Sequence, residues 1–219
     1  MKIDLDYYLL TSYYRKSLDK WLEKNIGVFE GNVLDVGGAK KDGNFTPPKC
    51  NKWVVVDIDK KLKPDIVASV TKLPFKNNNF DVIKATELFE HVDDYERGFS
   101  ECVRVLKTNG KFVVSSPFLI PLHPDPHDFQ RLTREKWESL AKKNKLKIVL
   151  IIEQGYIFTL ISEILRNFTI NLPLFWLRYP LYLLFPFLDL LTCLDSTAFV
   201  QNSRILRRYI RGYFIVFKK

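Results

Sequence analysis

From Gly31 to Glu153 the chain alternates short apolar runs with amphipathic stretches. That alternation predicts a mostly parallel α/β sheet with helical crossovers. Strand candidates are Asn32 to Val36, Trp53 to Asp57, Asp65 to Ala68, Phe80 to Ala85, Lys111 to Ser115 and Leu146 to Ile152. Most are β-branched runs bounded by Gly, Asn, Asp or Pro, as buried parallel strands should be. A last apolar stretch, Gly212 to Phe217, predicts a final strand returning to the sheet.

Helical spacing is clearest after Asp93, where Glu96 completes a capping-box pattern and Tyr95, Phe99, Cys102, Val103 and Leu106 share one face. Asn109-Gly110 is the expected stop. A second helix is expected after Thr133, ending near Asn144, with Trp137 and Leu140 facing inward. The first 28 residues read as two short Tyr-rich amphipathic helices broken between Thr11 and Lys16, a lid or an outer layer.

Beyond Gly155 the composition shifts to Leu, Phe, Tyr and Pro. A spanning helix needs about 20 apolar residues. Here Arg178 and Asp189 bracket the short uncharged run Tyr179 to Leu188, and Pro173, Pro180 and Pro186 interrupt a single helix. No transmembrane span is expected. An interfacial segment, a hydrophobic lid and a homodimer face all remain open. A chain of 219 residues holds one sizeable core. The expected layout is an N-terminal helical layer over 1–30 and one domain over 31–219, with an apolar helical insertion at 155–205 and the last strand at 212–217.

Net charge is +9, partly because six basic residues (Arg204, Arg207, Arg208, Arg211, Lys218, Lys219) follow Asp195 with no acid among them. Such a tail suits an anionic membrane surface or serves as a solvated face. Nucleic acid is not expected, because no recognisable RNA-binding module accompanies the charge. Cys50, Cys102 and Cys193 lack disulfide or zinc spacing and are expected as buried thiols in a reducing cytosol. The N-terminus lacks the basic-then-apolar order of a signal peptide. These features predict a cytoplasmic protein, peripheral at the inner membrane surface through its C-terminal segment.

Gly37 and Gly38 directly follow the first strand, where a glycine turn lets backbone approach a ligand closely. An acid at the end of the second strand, roughly 20 residues on, suits a ribose diol, and Asp57 meets that requirement. The strict dinucleotide fingerprint fails, since Ala39 and Asp42 occupy its next glycine positions.

The segments VLDVGGAK (33–40), VVVDID (54–59), DIVASVTKLPF (65–75), FDVIKATELFEHV (80–92) and LKTNGKFVVSSPF (106–118) resemble, in order and spacing, those of class I S-adenosylmethionine-dependent methyltransferases of the type 11 kind. The resemblance implies a Rossmann-like seven-stranded sheet, mostly parallel with its last strand antiparallel, and S-adenosylmethionine as cofactor. It implies Asp35, Gly37 and Gly38 at the methionine end, Asp57 on the ribose and Ile58 beside the adenine. Ser69, Val70 and Leu73 would flank the adenine edge, and Ala85 and Glu87 the sulfonium side. Asp35 has a structural alternative, accepting hydrogen bonds from the turn. His91 matches the family's common His after the fourth strand, where packing at a helix start is the alternative. Ala39 and Ser69 stand where members usually carry Gly and an adenine-binding Asp.

The fifth strand leads into Pro117-Phe-Leu-Ile-Pro-Leu-His-Pro-Asp-Pro-His-Asp-Phe-Gln-Arg-Leu-Thr133, at the strand ends where open α/β sheets bind ligands. His123 and His127 are four apart, but Pro124 and Pro126 forbid the helix that would align them as metal ligands, and no third ligand has suitable spacing. No metal is expected. Transfer to an oxygen needs a base, so His127 is the candidate base, Asp128 its orienter and His123 a further catalytic candidate. Hydrogen bonding within a rigid Pro-rich loop is the alternative. The segment also resembles a subgroup signature, PLHxDPHD(F/Y)xR, often linked to surface-glycan biosynthesis. That resemblance implies a polar acceptor, with Arg131 near an anionic group of it; Tyr156 is a further candidate for the substrate side.

The leading expectation is therefore methyl transfer to a hydroxyl or amino group of a sugar or glycan intermediate, lipid-linked if the apolar segment meets a membrane. A lipid or quinone acceptor and a non-catalytic binding module are the alternatives.

Overall fold

The computed structural model describes residues 5–38, 45–123 and 126–219. Ala39, Asp42 and the Pro124-Asp125 part of the loop signature lie outside them. The chain divides into two compact units, residues 19–152 with 212–219, and residues up to Leu18 with 153–211. The described N-terminal residues up to Leu18 thus group with the apolar insertion. The division falls inside one helix and at the end of one strand.

The larger unit is built on seven strands, β1 (Asn32–Val36), β2 (Lys52–Asp57), β3 (Ile66–Val67), β4 (Phe80–Thr86), β5 (Leu106–Pro117), β6 (Lys147–Glu153) and β7 (Gly212–Lys218). Their spatial order is β3-β2-β1-β4-β5-β7-β6. Pairs β1/β2, β1/β4, β2/β3 and β4/β5 are parallel, while β7 runs antiparallel to β5, with Phe112 opposite Phe217. This is the doubly wound, Rossmann-like sheet expected, with its reversed strand wedged between β5 and β6. The central strands lose nearly all solvent contact, Leu34, Ile83 and Val113 among them, as a sheet covered on both faces requires.

Among the described residues three helices have parts in this unit: the C-terminal half of α2 (Tyr13–Lys24), α3 (Tyr95–Val105) and α4 (Arg134–Lys143). The cap of α3 is Asp94, one residue later than its capping-box pattern predicts, and its carboxylate accepts from the Arg97 amide at 3.2 Å. Glu96 turns instead to Lys136 and Lys143 on α4, at 2.6 and 2.7 Å. The helix ends at Val105, before Asn109-Gly110, because Leu106 already pairs with Phe80 as the start of β5. Thr133 caps α4 as its sequence predicts, and Trp137 and Leu140 are buried.

The second unit contains α1 (Leu5–Leu10), the first half of α2, α5 (Ile157–Asn171), α6 (Phe175–Tyr182), α7 (Phe185–Thr192) and α8 (Ala198–Gln201). Asp195 caps α5 by accepting from the amides of Tyr156, Phe158 and Thr159 at 2.8, 3.1 and 3.0 Å. Arg211 is buried and ion-paired with Glu163 at 3.1 Å. In the larger unit, Lys219 donates to the carbonyls of Val103 and Leu106 at 2.7 and 2.6 Å. The basic run is thus divided between the units: Arg204, Arg207 and Arg208 lie in the second, where Arg207 bonds Glu153 at 3.1 Å.

Cys102 alone among the thiols is buried, and burial pushes it far above the usual thiol range; Cys193 is exposed and Cys50 half-buried. Among the described residues no single helix is long and apolar enough to cross a membrane. The pair Phe175–Tyr182 and Phe185–Ser196 has the length and composition only together, bent by 53°.

Candidate functional site

The C-terminal ends of β1, β2, β4 and β5 gather the chemistry of the larger unit. Gly37 takes a left-handed conformation (φ +71°), where glycine alone is unstrained, and a Cβ there would lie 2.7 Å from Leu88 Cδ1. A Cβ on Gly38 would lie 2.6 Å from the Asp35 carboxyl carbon. The Gly37 amide donates to Val56 at 2.8 Å, fastening the turn to β2. Both glycines are required by packing, Gly37 under Leu88 and Gly38 over the Asp35 carboxylate, and together they form a tight turn without side chains of its own.

Asp35 is buried and receives Lys84 Nζ at 2.8 Å across the paired strands β1 and β4. Its structural role is thus filled by a lysine, which the sequence reading passed over. The signal was there: a lone cation inside the apolar strand FDVIKAT. Asp57, half-buried at the end of β2, accepts the Asp59 amide at 2.7 Å on Oδ1. Ile58 beside it is 70% exposed, an apolar surface at the sheet edge. Ser69 accepts the Thr71 amide at 3.2 Å, while Val70, Leu73 and Ala85 are buried beneath this edge. Glu87 adopts a positive φ of 53° just past β4 and accepts the Ser115 hydroxyl. Bare turn, carboxylate, exposed aliphatic surface and buried floor together fit a nucleoside-bearing cofactor.

Beyond β5, the loop is stitched to the helical turn Phe89–His91. The Phe129 amide donates to the Glu90 carbonyl at 2.8 Å, Gln130 donates to the carbonyls of Phe89 and Val92, and His91 Nδ1 meets the His127 carbonyl at 2.5 Å. Asp128 holds Arg131 through both carboxylate oxygens and accepts the His123 amide at 3.1 Å. The Arg131 guanidinium keeps the Asp128 carboxyl well below the usual carboxylate range. His123 Nδ1 lies 3.5 Å from Asp128 Oδ2, and burial lowers its imidazole pKa.

These contacts sort the expected residues. The orienting carboxylate at Asp128 serves Arg131 and faces His123, whereas His127 is exposed with its ring 5.3 Å from Phe129. Arg131, expected near an anionic acceptor, is committed to Asp128. Leu122, Pro126, His127, Asp128 and Phe129 line an open depression of about 320 Å³. Tyr156 lies in the second unit, donating to Glu153 at 2.7 Å.

Glu90 is the residue that sequence reasoning missed. Its carboxylate is fully buried, neither oxygen has a hydrogen-bond partner among the described residues, and burial pushes it well above the usual range, with the Glu87 charge adding to the effect. Helical spacing predicted no metal; in three dimensions Glu90, His91 and His123 bring one potential ligand atom each within 4.8 Å of the others.

Residues 47–114 match the sequence profile of the methyltransferase domain family. Two uncharacterized proteins of Methanocaldococcus jannaschii are similar in sequence, one 42% identical over 55 residues and the other 26% identical over 121. The first match covers 25% of this chain and 24% of that protein, the second 46% and 58%. The chain thus spans less than two thirds of either relative. Among solved structures, an S-adenosylmethionine-dependent methyltransferase from Archaeoglobus fulgidus superposes with a TM-score of 0.54 at 17% identity, covering 98% of both chains. A structure described as a sarcosine dimethylglycine methyltransferase from Galdieria sulphuraria gives 0.54 at 16% identity, over 92% of this chain and 85% of that one. The cyclase SpnF gives 0.58 at 13% identity, over 92% and 81%. At such identities a shared fold does not fix the reaction. The profile match over residues 47–114, the strand order and the superposed structures agree on a class I methyltransferase-like fold, with the candidate site at its strand ends.

Proposed function

We propose that the protein transfers a methyl group from S-adenosylmethionine to a hydroxyl or amino group of a sugar or glycan intermediate, presented on a lipid at an anionic membrane surface. The cofactor supplies an electrophilic methyl on a sulfonium. Asp35, Gly37 and Gly38 hold its methionine end, Asp57 its ribose, and Ile58 with Ser69, Val70 and Leu73 its adenine. Ala85 and Glu87 border the sulfonium side. The protein's task is mainly alignment of the nucleophile. A hydroxyl must also lose its proton, and the exposed His127 imidazole is the candidate acceptor.

One observation carries the choice of a polar acceptor. Glu87, Glu90, His91, His123, Asp128 and Arg131 gather beyond the ends of β4 and β5, next to Leu88, which packs against the Gly37 turn. A sugar offers hydroxyls to such groups, whereas an alkyl chain does not. The lipid carrier is supported by apolar side chains left in water on α5 to α7, including Phe168, Phe175, Trp176, Leu183, Phe187 and Leu190. The same side chains favour a second reading, in which the acceptor is itself a lipid or quinone.

The test is labelled methyl transfer into fractionated extract of the source cell, paired with calorimetric titration of S-adenosylhomocysteine. Label in a saccharide-bearing fraction is the expected result. Label confined to simple lipids or quinones selects the second reading. No label and no binding at millimolar ligand would mean a non-catalytic module.

A further inference from the structure

We infer that Glu90, His91 and His123 form a binding site for a single divalent transition-metal cation. One nitrogen or carboxylate oxygen from each lies within 4.8 Å of the other two. His91 Nε2 is 3.9 Å from Glu90 Oε1, and the two imidazole centroids are 5.1 Å apart. A carboxylate with two imidazoles is a donor set that zinc, manganese and iron accept, with positions left for water or substrate.

The buried carboxylate is the first independent observation. Glu90 is 1% exposed, and among the described residues neither of its carboxylate oxygens accepts a hydrogen bond. Carboxylates left this way are costly, and a bound cation is one of the few partners that removes the cost. Among the described residues no side chain hydrogen-bonds the Glu90 carboxylate: Glu87 and Asp128 add negative charge, His91 Nε2 stands 3.9 Å away, and the nearby cation, Arg131, has both its bonded nitrogens on Asp128 or the Gln130 carbonyl.

The imidazole tautomers are the second. His91 Nδ1 sits 2.5 Å from the His127 carbonyl, which cannot donate, so Nδ1 carries the proton and Nε2 presents its lone pair toward Glu90. His123 Nδ1 faces the Pro121 carbonyl at 3.3 Å and Asp128 Oδ2 at 3.5 Å, leaving its Nε2 as the donor by the same reasoning. A ligating histidine ordinarily gives its other N–H to a carbonyl or carboxylate in this way, which fixes the ring and raises its basicity. His123 is also the most exposed member, its side chain at 40%, so the open coordination positions lie on its side. Metal binding here does not depend on the methyl-transfer reading.

The test uses the full chain, stripped with chelator and titrated calorimetrically with Zn²⁺ and with Mn²⁺ in the absence of cofactor. Cobalt absorption serves as a spectroscopic check. One equivalent of Zn²⁺ or Mn²⁺ should bind, and Glu90→Gln and His123→Ala should each weaken it by at least about tenfold. His127→Ala should leave the affinity unchanged, because His127 contributes only its backbone carbonyl. Circular dichroism verifies each fold, and the loop variant His123→Ala decides the matter if Glu90→Gln does not fold. Absence of saturable binding, binding undiminished in both variants, or an equal loss in His127→Ala would each overturn the site. Failure to bind S-adenosylhomocysteine would bear only on the methyl-transfer reading.

Discussion

Lys84 and Asp35 are register partners on adjacent parallel strands, and their side chains close a 2.8 Å ion pair with only 7% and 8% of their surface in water. The pair lies directly beneath Gly38. Removing one partner of a buried pair strands the other charge, at a cost of roughly 3–5 kcal/mol. Lys84→Met should therefore lower the urea midpoint strongly and weaken S-adenosylhomocysteine binding through the displaced carboxylate. Replacing both residues, Lys84→Met with Asp35→Leu, should recover much of the stability but not the binding. Equal stability of Lys84→Met and wild type in urea titration would refute the coupling.

A methyl group at residue 38 cannot be accommodated while Asp35 stays on Lys84, since its nearest approach to the carboxylate is 2.6 Å. Gly38→Ala is expected to cost about 1–3 kcal/mol of stability, as overpacking does. Cofactor affinity should fall more than stability does. Calorimetry alongside thermal melting separates the two, and an unchanged dissociation constant would mean that the turn does not touch the ligand.

Much of this edge was legible in the chain. Asn32–Val36 reads as a strand by its Val-Leu-Val pattern and is one to the residue; its single buried acid, Asp35, is tolerated because Lys84 on β4 answers it. The expected helix stop at Asn109-Gly110 failed because tertiary pairing overrode it: Lys111 is held between Val82 and Lys218 on neighbouring strands, and Leu106 already belongs to the sheet. Pro186 fits the first turn of α7, where its missing N–H is harmless, while Pro180 sits inside the short α6. Lys84 with Asp35, and Glu90 with His123, were not legible as pairs. Their separations in sequence are bridged by register and by loop stitching, and neither leaves a local period.

Glu96 supplies a pH prediction. Hydrogen bonds from Lys136 and Lys143 pull its carboxyl down to about 2 from 4.5. A depressed acid pKa contributes stability that is complete above the unfolded value and is lost as pH falls through the folded one. The Glu96 contribution should thus be whole above pH 4.5 and vanish toward pH 2. Glu96→Gln should be less stable than wild type at neutral pH, with the difference closing across that window in urea titrations at fixed salt. The pair is half in water, so the effect should also shrink as salt rises. A difference that persists undiminished at pH 2 would mean that packing, not charge, sets it.

Membrane attachment is best tested by substitution, because removing the C-terminus would take β7, buried along nearly its whole length, out of the sheet. Leu183 is 74% exposed and Phe187 69%, both near the break between α6 and α7 in the second unit. Burying one such side chain is worth about 1.5–3 kcal/mol. The double variant Leu183→Ser with Phe187→Ser should then reduce partitioning onto vesicles rich in anionic lipid by roughly two orders of magnitude. Charge reversal at Arg204 and Arg208 should weaken it by a further, salt-sensitive factor of about 1 kcal/mol per residue. Each variant should keep its melting temperature, since the replaced side chains face water. Vesicle co-sedimentation at low and high salt reads both effects, and partitioning that is equal for wild type and the serine variant would remove the membrane from the proposed function.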